Sequence, residues 1–365
     1  MTRRDENNLF PAHRADELMR RAIGLTEDTM PHPNPRVGAI VLAPTGEVVA
    51  ERAHIRAGSA HAEAAALTDA GSAAKGSTVV VTLEPCAHHG KTPPCATAII
   101  EAGVSRVIVG TLDPDPRVAG KGIEMLRDAG IEVVTGVEEA AVRANDPAYY
   151  HHRTTGRPFV TLKTALTLDG QAAAADHTSR WVTGPEARED GHRLRAECGA
   201  VIVGSGTVIS DNPRLDVRLD AYDGPQPRPV ILAGSRPIPA DAALLSRNPL
   251  VFTSGSEQPG LGDVEQVAVP GPNGVDLAAA LDYLGREGVV AVLIEGGPTI
   301  GGAALRAGLV DRIVFHFGSK LGLGTGLPAI TGVFETITDA QAVTIENVAM
   351  VGSDIRVEAK IEREM

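Results

Sequence analysis

His61, Glu63, Cys86 and Cys95 are the residues of this chain whose types and spacing could do chemistry. One neutral imidazole and two thiolates form a good zinc-ligand set, and three protein ligands leave a fourth position for water. Zinc lowers the pKa of such a water toward neutrality. A carboxylate two residues beyond the histidine, Glu63, is then available to take the water's proton and return it to a leaving group.

A histidine, a glutamate two residues on, and then Pro-Cys with a second cysteine is the pattern of zinc deaminases. Here eight residues separate Cys86 from Cys95, where that pattern has two. Ala-His-His-Gly-Lys-Thr-Pro-Pro fills the gap, too long for a tight zinc knuckle and better suited to a lid. That lid would add His88, Lys91 and Thr92 to a pocket, and Lys91 suits an anionic group on a substrate. Two alternatives stay open on the residues alone. A fourth ligand from His88 or His89 would close a structural zinc site, and Cys86 and Cys95 could instead form a disulfide. A third, unpaired cysteine, Cys198, and the lack of a visible signal peptide favour a reducing cytoplasm.

The flanking pattern predicts a helix from near His61 to Gly71 and a buried strand over Thr78–Leu83. Positions i and i+2 of a regular helix point apart. His61 and Glu63 can therefore share a site only at a first turn, where geometry is looser. Upstream, Ala15–Thr26 has helical spacing, and Val37–Ala43 with Glu47–Ala53 reads as a hairpin. Between them lies Pro31-His32-Pro33-Asn34-Pro35, which cannot be helix or central strand. Asn34 in that rigid loop is a candidate to hydrogen-bond a heterocycle, against a plain Asx turn. Strand and helix alternation continues to Thr135, giving an α/β layered domain. Asn145-Asp146-Pro147 with Tyr149–His152 reads as a bridge to the next unit.

A length of 365 residues predicts two domains, divided here at residues 1–150 and 151–365. The net charge of −12 argues against a nucleic-acid surface, and no apolar run is long enough to span a membrane. In the second half, strands are expected at Phe159–Ala165, Ala200–Gly204, Val230–Ala233, Leu250–Thr253 and Val289–Ile294, with a helix over Pro185–Cys198. Glu295-Gly296-Gly297-Pro298 follows the last strand and opens a helix. Such a turn can present backbone N–H groups to a phosphate, or can simply pack tightly.

Several segments together resemble one family, the bifunctional pyrimidine deaminase–reductases of riboflavin biosynthesis. They are PNPRVGAIV, AGSAHAE, LEPCAHHGKTPPC and DPDPRVAGKG, then LKTALTLDG, SRWVTGPEAR, VGSGTVISDNPRLDVR and EGGPTIGGA. The likeness runs from about Ala15 to Gly326. It implies a cytidine-deaminase-like layered domain followed by a dihydrofolate-reductase-like domain. It implies zinc-dependent removal of the 2-amino group of 2,5-diamino-6-ribosylamino-4(3H)-pyrimidinone 5′-phosphate, then NADPH reduction of the ribosyl chain to ribityl.

By the same resemblance, His61, Cys86 and Cys95 hold Zn2+ and Glu63 shuttles the proton. Asn34, His54, His88 and Lys91 line the deaminase pocket. Ala165, Trp181, Thr207, Asp211 and the turn Gly297, Pro298, Thr299, Ile300, Gly301, Gly302 and Ala303 bind NADPH. Ser179, Arg195, Leu215, Arg218 and Glu295 bind the second substrate. Arg195 and Arg218 would suit its phosphate, since a planar fork binds oxygens bidentately. Lys163, Asp211 and Glu295 are candidates for the acid that opens the ribose ring. A homodimer built through the reductase domains is expected. The competing readings are a deaminase with a degenerate second half, a nucleic-acid deaminase, and a zinc-stabilised interaction protein in which Glu63 is dispensable.

Overall fold

The computed structural model describes residues 12–87, 93–116, 118–332 and 335–362. The chain divides into two compact units, Met1–Thr155 and Gly156–Met365.

The first unit runs α1 (Ala12–Gly24), β1 (Gly38–Leu42), β2 (Val48–Ala53), α2 (Ala62–Ala70), β3 (Thr78–Leu83), α3 (Cys95–Glu101), β4 (Arg106–Thr111), α4 (Lys121–Asp128), β5 (Glu132–Thr135), α5 (Glu139–Asn145) and α6 (Pro147–Thr155). Its sheet has the order β2-β1-β3-β4-β5. The β1 strand is antiparallel to both neighbours, while β3, β4 and β5 are parallel. Strands β1 and β3 are buried along their whole length, as their unbroken aliphatic runs require. On one face Met19 and Ala22 of α1 pack on Ile40, Leu42, Val80 and Ile108. On the other, Ala66, Leu67 and Ile99 of α2 and α3 pack on Val41, Val79, Val81 and Val109. The stretch expected to bridge the units is α6, which packs within the first unit through Tyr149. Pro147 stands at a helix start, where its missing N–H costs nothing.

The second unit runs β6 (Phe159–Thr167), α7 (Pro185–Ala196), β7 (Ala200–Gly204), α8 (Ser205–Asp211), β8 (Arg228–Leu232), β9 (Leu250–Thr253), β10 (Glu265–Ala268), α9 (Leu277–Arg286), β11 (Ala291–Ile294), α10 (Pro298–Arg306), β12 (Arg312–Gly318), β13 (Val343–Val351) and β14 (Asp354–Ile361). Minor strands of two or three residues are left unlabelled. The nine-stranded sheet has the order β10-β9-β8-β7-β11-β6-β12-β14-β13. Its first seven strands are parallel and the last two close it as an antiparallel hairpin. The chain steps outward from β7 to β10 and then returns to insert β11 between β7 and β6. Strand order thus reverses beside β7, and crevices at such reversals, outside the carboxyl ends of the strands, are where open parallel sheets bind ligands.

Candidate functional site

His61 is the N-cap of α2, with extended backbone angles (φ −68°, ψ 154°). It therefore lies outside the helical spacing, and Glu63 in the first turn can face the same point. Cys86 follows the end of β3, and Cys95 is the first residue of α3. The Nδ1 of His61 lies 3.2 Å from the Cys95 Sγ and 3.7 Å from the Cys86 Sγ. The Cys95 backbone N–H donates to the Cys86 Sγ at 3.3 Å. All three potential ligand atoms fall within 4.8 Å of one another.

The donors fit zinc: one ring nitrogen and two sulfurs converge, and a helix start favours the thiolate at Cys95. Hydrogen bonding from Cys95 and His61 draws the Cys86 thiol well down. The Cys86 sulfur beside it pushes the Cys95 thiol up. Two sulfurs at this separation share one proton unless a cation takes its place. All three cysteines are free, so Cys86 and Cys95 form no disulfide. Cys198 is buried, which raises its thiol pKa and leaves it inert. Glu63 is 3% exposed and burial pushes its carboxyl up to about 7. Its carboxylate touches the Cys95 thiol.

Asn34 and His54 join this cluster. The His54 Nδ1 lies 3.0 Å from the Ala60 carbonyl oxygen, so that nitrogen carries the proton. Its Nε2 then accepts from the Asn34 amide at 3.1 Å. Burial lowers the His54 pKa and keeps the ring neutral. The His54 and His61 rings meet edge to face with centroids 5.3 Å apart. Among the described residues this arrangement leaves the Asn34 carbonyl oxygen open to an N–H donor. His88 and Lys91 lie outside the described residues.

Two buried acids missed by the sequence reading hold this frame. Glu84 accepts the N–H groups of Asp113, Gly120 and Gly122 at 3.2, 2.9 and 2.9 Å. A Cβ at Gly122 would stand 1.9 Å from the Pro85 oxygen, so the loop packs directly on the strand end that carries Cys86. Asp146 accepts from the His32 Nε2 at 2.9 Å, the Arg36 N–H at 2.8 Å and the Tyr149 N–H at 3.3 Å. It thereby anchors the proline-rich loop that presents Asn34. Their signals were present but weak: a Glu before Pro85-Cys86, and an Asp before Pro147.

In the second unit, Arg195 on α7 donates from Nε and Nη2 to the two Glu295 oxygens at 2.7 and 2.6 Å, and from Nη1 to the Asp216 carbonyl at 3.0 Å. Its fork faces inside the protein. Burial alone would raise the Glu295 carboxyl, but Arg195 and Lys163 outweigh it and hold it below the usual range. Lys163 lies beside them on β6, and burial lowers its amine pKa. Arg218 is exposed and pairs with Asp216, while the Leu215 side chain is 2% exposed.

Trp181 is 59% exposed, with the Arg188 guanidinium 4.5 Å above its ring. With Ser179 it lines a cleft of about 400 Å³ bounded by Thr178, Lys320 and the Gly322–Gly326 loop. Ala165 is half-buried on β6, and Asp211 ends α8, its carbonyl accepting from Arg180. The α10 turn is partly a packing device. A Cβ at Gly302 would lie 2.0 Å from the Thr331 oxygen, and one at Gly301 3.3 Å from Leu162. Gly297, Pro298, Thr299 and Ile300 form the helix start itself, and Ala303 is exposed. A Cβ at Gly297 would meet the Thr207 Oγ1 at 3.8 Å, so the two proposed cofactor segments adjoin.

Comparison with known proteins covers both units. The family model described as the cytidine and deoxycytidylate deaminase zinc-binding region matches residues 12–111. That of the RibD C-terminal domain matches residues 158–352. The riboflavin biosynthesis protein RibD of Escherichia coli K12 is 38% identical over 342 residues, 89% of this chain and 92% of that protein. The solved structure of Acinetobacter baumannii RibD superposes with a TM-score of 0.89 at 35% identity, covering 97% of this chain and 100% of the other. A Thermotoga maritima structure, described as a diaminohydroxyphosphoribosylaminopyrimidine deaminase/5-amino-6-(5-phosphoribosylamino)uracil reductase, gives a TM-score of 0.84 at 35% identity over 96% and 99% of the two chains.

Proposed function

From the premise that this chain belongs to the RibD family, bifunctional deaminase–reductases of riboflavin biosynthesis, we propose its substrates and the part each residue plays. Its deaminase domain binds zinc and its reductase domain uses NADPH. We assign the metal to His61, Cys86 and Cys95. Bound there, zinc supplies the electron-pair acceptor that makes an attacking water acidic near neutral pH.

The substrate of the first step is 2,5-diamino-6-ribosylamino-4(3H)-pyrimidinone 5′-phosphate. The Asn34 carbonyl oxygen, set by the bond from its amide to His54, accepts a ring or amino N–H. Glu63 takes one proton from the water as a C2–O bond forms. It delivers that proton to the departing amino group as the C2–N bond breaks, releasing ammonia, and the second water proton passes from the C2 oxygen to the ring nitrogen as the C2 carbonyl forms. A carboxyl held near 7 can both accept and return a proton at working pH.

In the second step bound NADPH would supply the hydride for C1′ of the ring-opened imine, and a proton would go to the adjacent nitrogen as the C=N bond becomes single. The product is 5-amino-6-(5-phosphoribitylamino)uracil. Lys163, buried and held low, is the best-placed proton carrier beside Glu295. Ser179 and Arg218 are assigned to the substrate. Arg195 and Leu215 shape the site rather than reach into it, since one is committed to Glu295 and the other is buried.

The observation that carries this reading is the convergence of His61, Cys86 and Cys95 with Glu63 against them. A coupled assay tests it, following ammonia release and NADPH oxidation on the diamino substrate with and without a zinc chelator. Ammonia first, NADPH consumption after it, and loss of both on chelation are expected. Ammonia without NADPH or NADH oxidation would leave a deaminase alone.

The functional form is a homodimer joined through the reductase units. The support lies in β13, the edge strand of its sheet. Val343, Ile345, Val348 and Met350 stand 41–66% exposed on it. The pairing slips between Ile345 and Asn347, so these four stay opposite Ile361, Ala359, Val357 and Ile355 on one face. This nine-residue edge has no proline or lysine; the slip and the charge of Glu346 are its guards, and the apolar face beside them stays open. A second copy, antiparallel about a two-fold axis, supplies the missing strand. Thiolate ligands need a reducing compartment, which favours the cytoplasm. No helix among the described residues is long and apolar enough to cross a membrane.

A further inference from the structure

We propose that Arg236 recognises the 2′-phosphate of NADPH and so sets the preference for NADPH over NADH; the assignment rests on the reductase reading above.

Arg236 lies in the loop that follows β8. That loop is tied to the start of α8, because the Gly234 N–H donates to the Ser205 Oγ at 2.9 Å. A Cβ placed on Gly206 would lie 3.4 Å from the Arg236 Nη2, so the guanidinium rests over the Gly206 backbone. Thr207 is next in sequence and adjoins Gly297. Arg236, Gly206, Thr207 and Gly297 thus form a continuous line across the carboxyl ends of β8, β7 and β11, which are neighbours in the sheet. The line starts at the α10 turn, suited to the pyrophosphate, and ends at a cation. A dinucleotide laid along it with its pyrophosphate at Gly297 carries its adenosine toward Arg236.

The electrostatic setting sharpens the choice. Arg195 is committed to Glu295 and Arg214 to Asp216, Arg218 pairs with Asp216 and is assigned to the second substrate, and Arg247 donates to the carbonyls of Arg214 and Pro227. Arg236, by contrast, has no carboxylate or hydrogen-bond partner among the described residues, and it is exposed. In a chain of net charge −12, an unengaged guanidinium at the end of a nucleotide track is a specific feature. Its planar fork matches two oxygens of a phosphate dianion, which NADH lacks.

The test is calorimetric titration of the full-length protein and of Arg236→Gln with NADP+, NAD+ and 2′,5′-ADP, the last carrying the 2′-phosphate without nicotinamide. In the variant, affinity for NADP+ and for 2′,5′-ADP should fall about 10- to 100-fold, as for loss of one charge-assisted contact, with NAD+ affinity unchanged. Arg236→Lys should fall between, keeping the charge without the fork. An unchanged thermal midpoint checks the fold. Equal weakening of NADP+ and NAD+, or no change in either, would overturn the assignment. Wild-type protein that binds neither dinucleotide would overturn the reductase reading and this inference with it, whereas wild-type NADP+ binding that survives in Arg236→Gln sinks the inference alone.

Discussion

The Arg195 guanidinium and the Glu295 carboxylate meet fork to fork, at 2.7 and 2.6 Å, with side chains only 16% and 11% exposed. An arginine that the sequence suggested for a substrate phosphate is half of an internal ion pair. The pair joins α7 to the residue that follows β11, and so fixes the approach to the α10 turn.

Breaking that pair should cost more than its net worth, because the survivor is a buried unpaired charge. Arg195→Ala is expected to destabilise the reductase unit by about 3–5 kcal/mol, read as a lower urea midpoint of its unfolding transition. Glu295 also gives the pair a pH dependence. Its folded-state carboxyl titrates below the ordinary glutamate value of 4.5. The stability it contributes is therefore fully present above that value and drains away as pH falls through the lower folded value. Glu295→Gln should lose this acid-side slope. Equal slopes in variant and wild type would show that the pair does not govern it.

The proposed mechanism gives Glu63 a proton role and leaves the metal to His61, Cys86 and Cys95. Glu63→Ala should therefore keep its zinc, measured by atomic emission, and lose ammonia release by about 10²- to 10⁴-fold. NADPH oxidation on the already deaminated intermediate should persist. Ammonia release at wild-type rate in this variant would remove Glu63 from the mechanism and favour a structural metal site.

Cys95→Ser and His61→Ala each remove one of three convergent donors. Both should emerge with little or no zinc and without deamination, while reduction of the deaminated intermediate stays within about twofold of wild type, because the two chemistries use separate residues. Full zinc content in Cys95→Ser would mean that the metal is held elsewhere.

Much of the first unit was legible because its signals are local. The aliphatic runs at Thr78–Leu83 and Arg106–Thr111 are strands over those same residues, since residues buried on both faces leave no ambiguity of period. His61 and Glu63 posed a conflict of spacing that only the extended N-cap geometry of His61 resolves. Less was legible where a partner distant in sequence decides. The fate of Arg195 depends on Glu295, one hundred residues on. Helix α6 depends on Tyr149 finding the core, and β13 and β14 went unread because edge and hairpin strands mix polar and apolar positions, whereas β12, an interior parallel strand, carried a legible apolar run that went unread. The glycines of the α10 turn carried two messages in one motif: close packing at Gly301 and Gly302, and a helix start at Gly297.

Asp146 holds the loop that carries Asn34 through His32 and Arg36, which makes it a positioning residue in the proposed mechanism. Asp146→Ala removes three accepted hydrogen bonds at a site 3% exposed. It should raise the deaminase KM about tenfold, with zinc content intact, since loss of one or two positioning bonds is worth roughly 1–2 kcal/mol in all. Asp146→Asn, which keeps an acceptor, should recover most of the KM. A fall in kcat with an unchanged KM would mean that Asp146 serves the chemistry and not the pocket.

The β13 face offers the last test. Ile345 and Met350, 61% and 66% exposed, lie on the face that the slip in pairing near Asn347 keeps continuous. Glutamates at both positions would set like charges against each other across a two-fold axis and remove apolar area from the contact. The double variant Ile345→Glu/Met350→Glu should sediment as a monomer, whereas wild type sediments as a dimer at the same concentration. The substitutions fall on exposed side chains of an edge strand, so the thermal midpoint at infinite dilution should change little. A wild-type monomer would dispose of the dimer. A variant that remains dimeric would move the interface to another surface.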